Sequence, residues 1–302
     1  MVDLEKLLAQ VRAKQKEQIA GYERLEFYAG EPMEIPWGDR LPVRFSVNRP
    51  KVKPGDGAMK VFINCHGGGF IEGDAKLMGS FCQKLADRLG ILVVNVNYRL
   101  SPDYIYPYQC EEIEAIHDWL EANAEALGID PSHCGIGGFS AGATLSLNCV
   151  VRSIQQGTNR YTCCVLGYPL VTADSSENDW DSAYPAGDEA MMNVIGYYFN
   201  GQGDKPECSA LNADAELLGK FPGVIEITCG KDSLGPQGRK FAAKLASAGT
   251  RLNYVNYPDA LHGFIEVNRP DYDPNDPRRT PEQAALNDAA EEFIIDGLAS
   301  ML

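Results

Sequence analysis

The residues best suited to chemistry centre on Ser140, which lies in the pentapeptide Gly138-Phe-Ser-Ala-Gly142. A short apolar run precedes this serine and a helix-like run follows it, so the pattern G-x-S-x-G predicts a tight turn from a strand into a helix. Glycine at the two flanking positions lets neighbouring segments approach closely. Such a turn exposes the serine hydroxyl near helix amides that favour negative charge. Ser140 is therefore the candidate nucleophile.

A serine hydroxyl needs a base that removes its proton, and the chain has four histidines from which this base can come. His117 lies in a predicted helix, and His133 precedes the serine strand at its opposite end. His262 instead follows the last predicted strand, so it lies at the same carboxyl edge of the sheet as Ser140. Gly263 beside it would permit a close approach to the serine turn. These positions favour His262 as the general base.

The base must be oriented by an acid, for which there are two candidates. Asp232 follows the predicted strand 224–229, again at a carboxyl end, and it lies between serine and histidine in chain order. Its structural alternative is a turn aspartate that bonds its own backbone. Asp259 precedes His262 by three residues, which places it poorly for the distal ring nitrogen. Chain order and the strand-end position favour Asp232.

A fourth motif is His66-Gly-Gly-Gly-Phe, at the end of the predicted strand 59–65. Three successive glycines expose backbone N–H groups and let the chain pass close to a substrate. Together with the amide of Ala141 they are suited to an oxyanion hole, which stabilises the charge that develops on a carbonyl oxygen. The alternative is a flexible glycine loop. His66 itself is expected to orient this loop and not to transfer protons.

The elements that must position these residues alternate between strands and helices. This alternation predicts an α/β fold with a mainly parallel sheet and helices on both faces. Thr280, followed by Pro281 and by glutamine at the third helical position, predicts the start of the last helix. Strands are predicted over 43–48, 59–65, 91–96, 134–139, 162–167, 224–229 and 252–257, and helices over 3–20, 75–89, 110–127, 141–152 and 281–299.

Three segments fall outside this alternation. Residues 22–42 contain several prolines and are interpreted as irregular chain. Residues 171–215 hold many aromatic and methionine side chains without a clear strand. Such side chains commonly form a local core, but their place at the carboxyl edge of the sheet favours a partial lid. Residues 268–280 are rich in proline and aspartate and predict a solvated surface loop, with a role at an interface as the alternative.

Composition limits the partners and the compartment. The 302 residues carry a net charge of −15, which disfavours binding to nucleic acid or to anionic membranes. The charged start of the chain lacks the apolar core of a signal peptide, and no apolar run approaches the length of a membrane span. Nine cysteines, several among apolar neighbours, show no metal-ligand spacing. We therefore expect reduced thiols, no metal and a cytoplasmic protein.

In these motifs the sequence resembles the α/β-hydrolase superfamily, and within it the bacterial hormone-sensitive-lipase-like carboxylesterases and acetyl esterases. The combination is specific although each piece alone is not, and it spans about residues 59–265. The shared motifs occur in family order: HGGGF at 66–70, NYRLSP at 97–102, GFSAG at 138–142, YP at 168–169, GKDSL at 230–234 and LHGF at 261–264.

The resemblance implies ester hydrolysis through an acyl-serine, with short acyl chains preferred and no cofactor. It places the nucleophile at Ser140, the acid at Asp232 and the base at His262. It also implies a single domain over 1–302, with cap elements from about 1–40 and 171–215, and it is compatible with a homodimer. By the same resemblance the oxyanion amides are those of Gly68, Gly69 and Ala141.

The sequence departs from the commonest family pattern at several positions. Phe139 precedes the nucleophile where the family often has aspartate, and Asn97 replaces a common aspartate in the NYRLSP segment. Asp103 stands where glutamate is usual, and the acid loop continues Asp232-Ser-Leu in place of DPL. These changes leave the triad intact, but they weaken any assignment of a subfamily or substrate.

The resulting hypothesis is a cytoplasmic serine carboxylesterase that acts on small, largely neutral short-acyl esters. Two alternatives remain open at this point. One is an amidase of the arylformamidase type, which resembles this fold and uses a similar glycine loop. The other is a small-molecule-binding member of the fold without catalysis, although such members replace the histidine that stands here at His262.

Overall fold

The fold is built on an eight-stranded sheet in the order β1-β2-β4-β3-β5-β6-β7-β8. The protein is represented by a computed structural model, which describes residues 3–26, 29–52, 55, 57–182 and 188–302. Strands β3 to β8 run parallel to one another, and β2 pairs antiparallel with both β1 and β4. The strands are β1 (Glu31–Trp37), β2 (Arg40–Asn48), β3 (Met59–Cys65), β4 (Leu92–Val96), β5 (Ile129–Phe139), β6 (Cys163–Gly167), β7 (Gly223–Cys229) and β8 (Leu252–Tyr257).

Helices cover both faces of this sheet and separate two apolar cores. One core packs side chains of α3, α5 and α8 against the sheet, and the other packs those of α2 and α10. The helices are α1 (Leu4–Glu23), α2 (Gly79–Leu89), α3 (Tyr108–Ala122), α4 (Ala124–Leu127), α5 (Ala141–Gln155), α6 (Glu189–Tyr198), α7 (Ala215–Leu218), α8 (Gly235–Ser247), α9 (Phe264–Val267) and α10 (Pro281–Met301).

The central strands follow from their sequence. Strands β3, β4, β6 and β7 are apolar runs buried on both faces, as parallel strands covered by helices are. Helix α10 begins where the sequence predicts, because the Thr280 hydroxyl accepts a hydrogen bond from the Gln283 amide and Pro281 occupies the first turn. The predicted α/β fold class is therefore confirmed.

Some element predictions are wrong. Strand β1 lies within the segment interpreted as irregular, because Pro32 and Pro36 argue against a strand in general but are tolerated at the edge that β1 occupies. Helix α8 was not predicted between the last two strands. The predicted helix 110–127 is two helices that meet at Asn123. Parts of the predicted cap segments, residues 1–2, 27–28 and 183–187, lie outside the described residues.

Residues 268–280 form the predicted surface loop, in which residues 270, 273–275 and 277 are exposed, but the base of the loop is not solvated as expected. Arg269 is buried, where it pairs with Glu291 at 2.9 Å and lies over the ring of Phe81. Asp271 accepts hydrogen bonds from the amide and the hydroxyl of Ser80 at 2.8 and 2.6 Å. Charged residues in a proline-rich stretch suggest solvation, but here Arg269 and Asp271 find their partners on α2 and α10, which sequence proximity does not show.

Two further expectations concern the cysteines and the membrane. All nine cysteines are buried and none forms a disulfide, in agreement with their interpretation as small buried apolar residues. Among the described residues, no helix combines the length and the apolar character that crossing a membrane requires.

Strand β7 carries a carboxyl group in an unusual environment. Glu226 is fully buried, and neither of its carboxylate oxygens has a hydrogen-bond partner among the described residues. Burial raises the pKa of Glu226 well above its ordinary value, because the charged form loses its hydration. The folded state therefore holds this proton more tightly than the unfolded state, so stability falls as the pH rises above the ordinary glutamate pKa of about 4.3.

Replacement of Glu226 by Gln should remove this pH dependence. Because the amide does not ionise, the melting temperature of Glu226→Gln relative to wild type should rise between about pH 5 and pH 8. Scanning calorimetry at several pH values measures this difference, whatever constant offset the buried amide adds. Glu216→Gln is the matched control, since Glu216 is 80% exposed. If the difference in melting temperature between Glu226→Gln and wild type stayed constant with pH, the expectation would be contradicted.

Candidate active site

The turn at Ser140 joins β5 to α5. Ser140 has φ 51° and ψ −123°, a conformation that residues other than glycine rarely adopt. Its amide donates to the carbonyl of Gly167 on the neighbouring strand at 2.8 Å. A Cβ added at Gly138 or at Gly142 would overlap the carbonyl oxygen of Cys65 at the end of β3. The two glycines are thus required by the close packing of the turn against β3, as the G-x-S-x-G pattern predicts.

The structure brings Ser140, His262 and Asp232 into one hydrogen-bonded line. The Ser140 Oγ lies 2.8 Å from His262 Nε2, and His262 Nδ1 lies 2.8 Å from Asp232 Oδ2. The Asp232 side chain is fully buried, and its Oδ1 accepts from the amide of Leu234 at 3.0 Å. An acid on Nδ1 keeps the proton at that nitrogen, so Nε2 is left to accept from the serine.

The competing acid, Asp259, has a different partner. Its carboxylate pairs with the ammonium of Lys231 at 2.9 Å, and its side chain is 76% exposed. The side chain that contacts the distal ring nitrogen of His262 is that of Asp232. Chain order and the strand-end position therefore identify the carboxylate that bonds this histidine.

Two further residues hold His262 in place. The ring of Tyr168 meets the imidazole edge-on, with centroids 5.0 Å apart. The guanidinium of Arg278 donates from Nη1 to the carbonyl oxygen of His262 at 3.1 Å. The next residue, Gly263, has φ 80° and starts α9. Tyr168 therefore helps to fix the orientation of the His262 ring, and Arg278 helps to fix the position of its backbone.

The glycine loop after β3 has a backbone that only glycine tolerates. Gly68 has φ 115°, and a Cβ there would overlap the carbonyl oxygen of Glu72. The same loop is closed by hydrogen bonds from the amides of Ile71 and Glu72 to the carbonyl of Gly68, at 3.0 and 2.9 Å. The loop is therefore fixed in position, in contrast to the flexible alternative.

Three amides at the site keep their hydrogen-bonding capacity for a ligand. Among the described residues, the N–H groups of Gly68, Gly69 and Ala141 have no hydrogen-bond partner. All three residues line the same cavity as Ser140. His66 is buried and stacks on Tyr98 at 4.2 Å, and its burial lowers its pKa. This environment suits a side chain that supports the loop.

One acidic residue at the site was missed by the sequence analysis. Glu266 accepts a hydrogen bond on Oε1 from the amide of Gly67 at 3.0 Å, and its Oε2 lies 3.4 Å from the hydroxyl of Tyr168. It therefore connects the glycine loop to the histidine loop. Burial raises its pKa, although the nearby His262 partly opposes this. Its position four residues after His262 in the sequence was the available signal.

The cavity above Ser140 has a volume of about 460 Å³. Helix α1 lines part of this cavity. It is attached to the glycine loop by Gln15, whose side-chain amide donates a hydrogen bond to the carbonyl of Ile71 at 2.6 Å. Helix α6, within the segment 171–215, adds a second part. The apolar side chains that line the cavity are Phe70, Leu77, Met78, Leu170, Met191, Ile195, Leu234 and Val267.

A second cluster of polar side chains lies away from this cavity. His117, Asp118 and Glu121 bring ligand-type atoms within 4.8 Å of one another. Arg160 already occupies this place, because its Nη1 donates to His117 Nδ1 at 3.0 Å and to Asp118 Oδ1 at 2.6 Å. A guanidinium at the centre of the cluster disfavours a cation there.

Comparisons with known proteins identify the family. A family model described as alpha/beta hydrolase fold matches residues 62–266. The chain belongs to this family. An esterase from Pyrobaculum calidifontis has a similar structure, with a TM-score of 0.75, 24% identity and coverage of 99% of this chain and 94% of that one. The metagenomic carboxylesterase EstE1 gives a TM-score of 0.74 at 24% identity, covering 98% of each chain.

Curated relatives of this α/β hydrolase carry esterase names. Esterase LipI of Mycobacterium tuberculosis is 26% identical over 239 residues, which are 76% of this chain and 72% of LipI. The ethyl acetate hydrolase of Pseudomonas putida is 27% identical over 237 residues, covering 76% and 73% of the two chains. The predicted resemblance to carboxylesterases of the α/β-hydrolase superfamily is thereby confirmed.

A methyl group at Gly142 should disturb the serine turn. Because the added Cβ would overlap the carbonyl oxygens of Cys65 and His66, the backbone must shift, and we expect Gly142→Ala to lose roughly 1–3 kcal/mol of stability. Urea unfolding measures this loss. Gly196→Ala is the matched control, since no atom lies within 4 Å of its added Cβ and alanine favours the helix α6. Equal stability of the two variants would refute the packing argument.

Proposed function

We propose that this carboxylic ester hydrolase cleaves its substrate through an acyl-enzyme on Ser140. The observation that carries the proposal is the line of two 2.8 Å hydrogen bonds from Ser140 through His262 to the buried Asp232. A nucleophile, a base and an orienting acid within hydrogen-bond reach are the arrangement that acyl transfer requires.

In the first half-reaction the Ser140 Oγ attacks the ester carbonyl carbon, while its proton passes to His262 Nε2. Asp232 accepts the hydrogen bond from Nδ1–H and stabilises the imidazolium. The tetrahedral intermediate then collapses, the bond to the alkoxy oxygen breaks, and the proton on Nε2 leaves with the alcohol. In the second half, water gives a proton to Nε2 and attacks the acyl carbon. The carboxylic acid is released as the proton returns to Ser140.

The three unpartnered amides are the proposed oxyanion hole. Gly68 and Gly69 approach from the loop after β3, and Ala141 from the first position of α5. Donors preorganised in this way stabilise charge that appears only in the transition state, with each donor contributing about 3–4 kcal/mol. Glu266 supports the proposal, because its bond to the Gly67 amide holds the loop next to the histidine.

Removal of either triad member should abolish catalysis without unfolding the chain. We expect Ser140→Ala and Asp232→Asn each to lower kcat for p-nitrophenyl acetate by roughly 10⁴-fold, because the serine would lack a nucleophilic oxygen or the histidine its orienting acid. Steady-state kinetics measure the loss, and the melting temperature checks the fold.

The matched control for the acid is Asp259→Asn, the same aspartate-to-asparagine substitution at a position three residues before His262. Asp259 contacts Lys231 and is exposed, so its kcat should stay within about twofold of wild type. A larger loss in Asp259→Asn than in Asp232→Asn would assign the acid to Asp259. Full activity of Ser140→Ala would refute the acyl-serine mechanism.

We also propose a preference for short acyl chains. The cavity of about 460 Å³ must hold the acyl and alcohol parts together, and its apolar lining is a limited set of side chains that includes Met191 and Ile195 of α6. One relative is named for ethyl acetate. This supports small acyl groups, because a chain that outgrows the cavity must displace the side chains that line it.

An acyl series of p-nitrophenyl esters tests this preference. We expect kcat/KM to be highest for acetate or butyrate and to fall by at least about tenfold towards octanoate, since the longer chain must displace side chains of the cavity wall. Initial rates across the series provide the measurement. A maximum at octanoate would contradict the short-acyl proposal and leave the triad proposal unaffected.

A cytoplasmic location completes the proposal. Its support is the character of the cysteines, whose thiols lie in the apolar cores, where burial raises the pKa of Cys65 to about 12. Disulfides are rare in reducing compartments, so buried and protonated thiols fit such a setting.

A further inference from the structure

The cavity above Ser140 has a second, polar side that the proposed mechanism does not use. Helix α1 and the glycine loop contribute part of it, and the loop over 268–280 contributes the rest. We call this surface the polar wall. It consists of Tyr22, Glu72, Tyr272, Asp273, Asp276 and Arg278.

The polar wall is held in position from outside the cavity. Asp271, next to Tyr272, is bonded twice to Ser80 at the start of α2. Arg269 is anchored to Glu291 of α10 at 2.9 Å. A loop fixed at its base presents its side chains without a large ordering cost when a ligand binds, which is the usual property of a recognition surface.

Two of the three carboxylates of the polar wall are paired with nearby cations. The Arg278 guanidinium donates to both oxygens of Asp276, at 2.9 and 2.7 Å. Glu72 pairs with Lys14 at 3.1 Å. A ligand with a full positive charge would therefore compete with partners already present, and a ligand with a negative charge would meet these carboxylates and the net charge of −15.

The hydrogen-bonding capacity that the wall offers is mainly that of an acceptor. The donors of Arg278 bond to Asp276 and to the His262 carbonyl. Asp273 uses Oδ1 to accept from the amide of Asn275 at 2.9 Å, and among the described residues no bond to its Oδ2 is formed. Carboxylate oxygens accept and tyrosine hydroxyls do both, so a matching ligand brings several donors.

From these observations we propose that the alcohol part of the substrate is uncharged and rich in hydroxyl groups, as in an acylated monosaccharide or polyol. Hydroxyl groups are uncharged hydrogen-bond donors, and donors are the groups that the acceptor-rich polar wall needs from a ligand. The short acyl group would then contact the apolar side and the hydroxylated alcohol the polar wall. This inference rests on the proposed ester hydrolysis at Ser140.

The direct test compares three acetate esters of different alcohols. We expect kcat/KM for 6-O-acetylglucose to exceed that for butyl acetate by at least about tenfold, with acetylcholine no better than butyl acetate. Release of acetate in a coupled assay measures all three rates. A preference for butyl acetate would refute the inference, and a preference for acetylcholine would show that the wall selects a cation instead.

Two conservative variants connect this selectivity to the polar wall. Tyr272→Phe removes one hydroxyl group, and Asp273→Asn keeps the Oδ1 acceptor for Asn275 but turns Oδ2 into a donor. We expect each to lower the ratio of kcat/KM for 6-O-acetylglucose over butyl acetate by about fivefold or more. Asp288→Asn, an exposed position on α10 outside the cavity lining, is the control and should leave this ratio unchanged.

The outcomes separate this inference from the function on which it rests. Inactivity of the wild type on all three esters would contradict ester hydrolysis and with it the inference. Activity without preference for the hydroxylated alcohol, or an unchanged ratio in both wall variants, would refute the inference alone. In that case the triad proposal would still stand on the Ser140→Ala result.

Discussion

The site depends on one packing constraint, the contact of the serine turn with the end of β3. The carbonyl oxygen of Cys65 occupies the space in which side chains at Gly138 and Gly142 would lie. This contact holds Ser140 in a positive-φ conformation and places it beside the glycine loop, which continues from the same strand. Ser140, the proposed nucleophile, and the proposed oxyanion amides are therefore positioned by a single backbone approach.

The parallel sheet brings the remaining groups to this point. Strands β3, β5, β7 and β8 all end at one edge, and the segments that follow them carry the glycine loop, Ser140, Asp232 and His262 in turn. Because parallel strands share a carboxyl edge, residues far apart in sequence meet there. Glu266 adds a direct bond between the first and the last of these segments, which links the glycine loop to the segment that carries His262.

Burial and charge divide the cavity into two chemically different sides. The apolar side includes side chains of α6 and of the segments after β6 and β7, whereas the polar wall comes from α1, the glycine loop and the loop before α10. Carboxylates beside a nucleophile would normally repel the developing oxyanion. Here those of Glu72 and Asp276 are paired with Lys14 and Arg278, which reduces that repulsion.

The sequence by itself determined the fold class, the central strands and the grouping of Ser140, His262 and Asp232. These follow from local patterns, namely apolar runs, the G-x-S-x-G turn and chain order. Tertiary structure alone decided the edge strand β1 and helix α8. It also decided that Glu266 bonds to the glycine loop and that residues 268–280 line the cavity. Their partners lie far away in sequence, because a buried charge such as Arg269 is stabilised by whatever the folded chain places beside it.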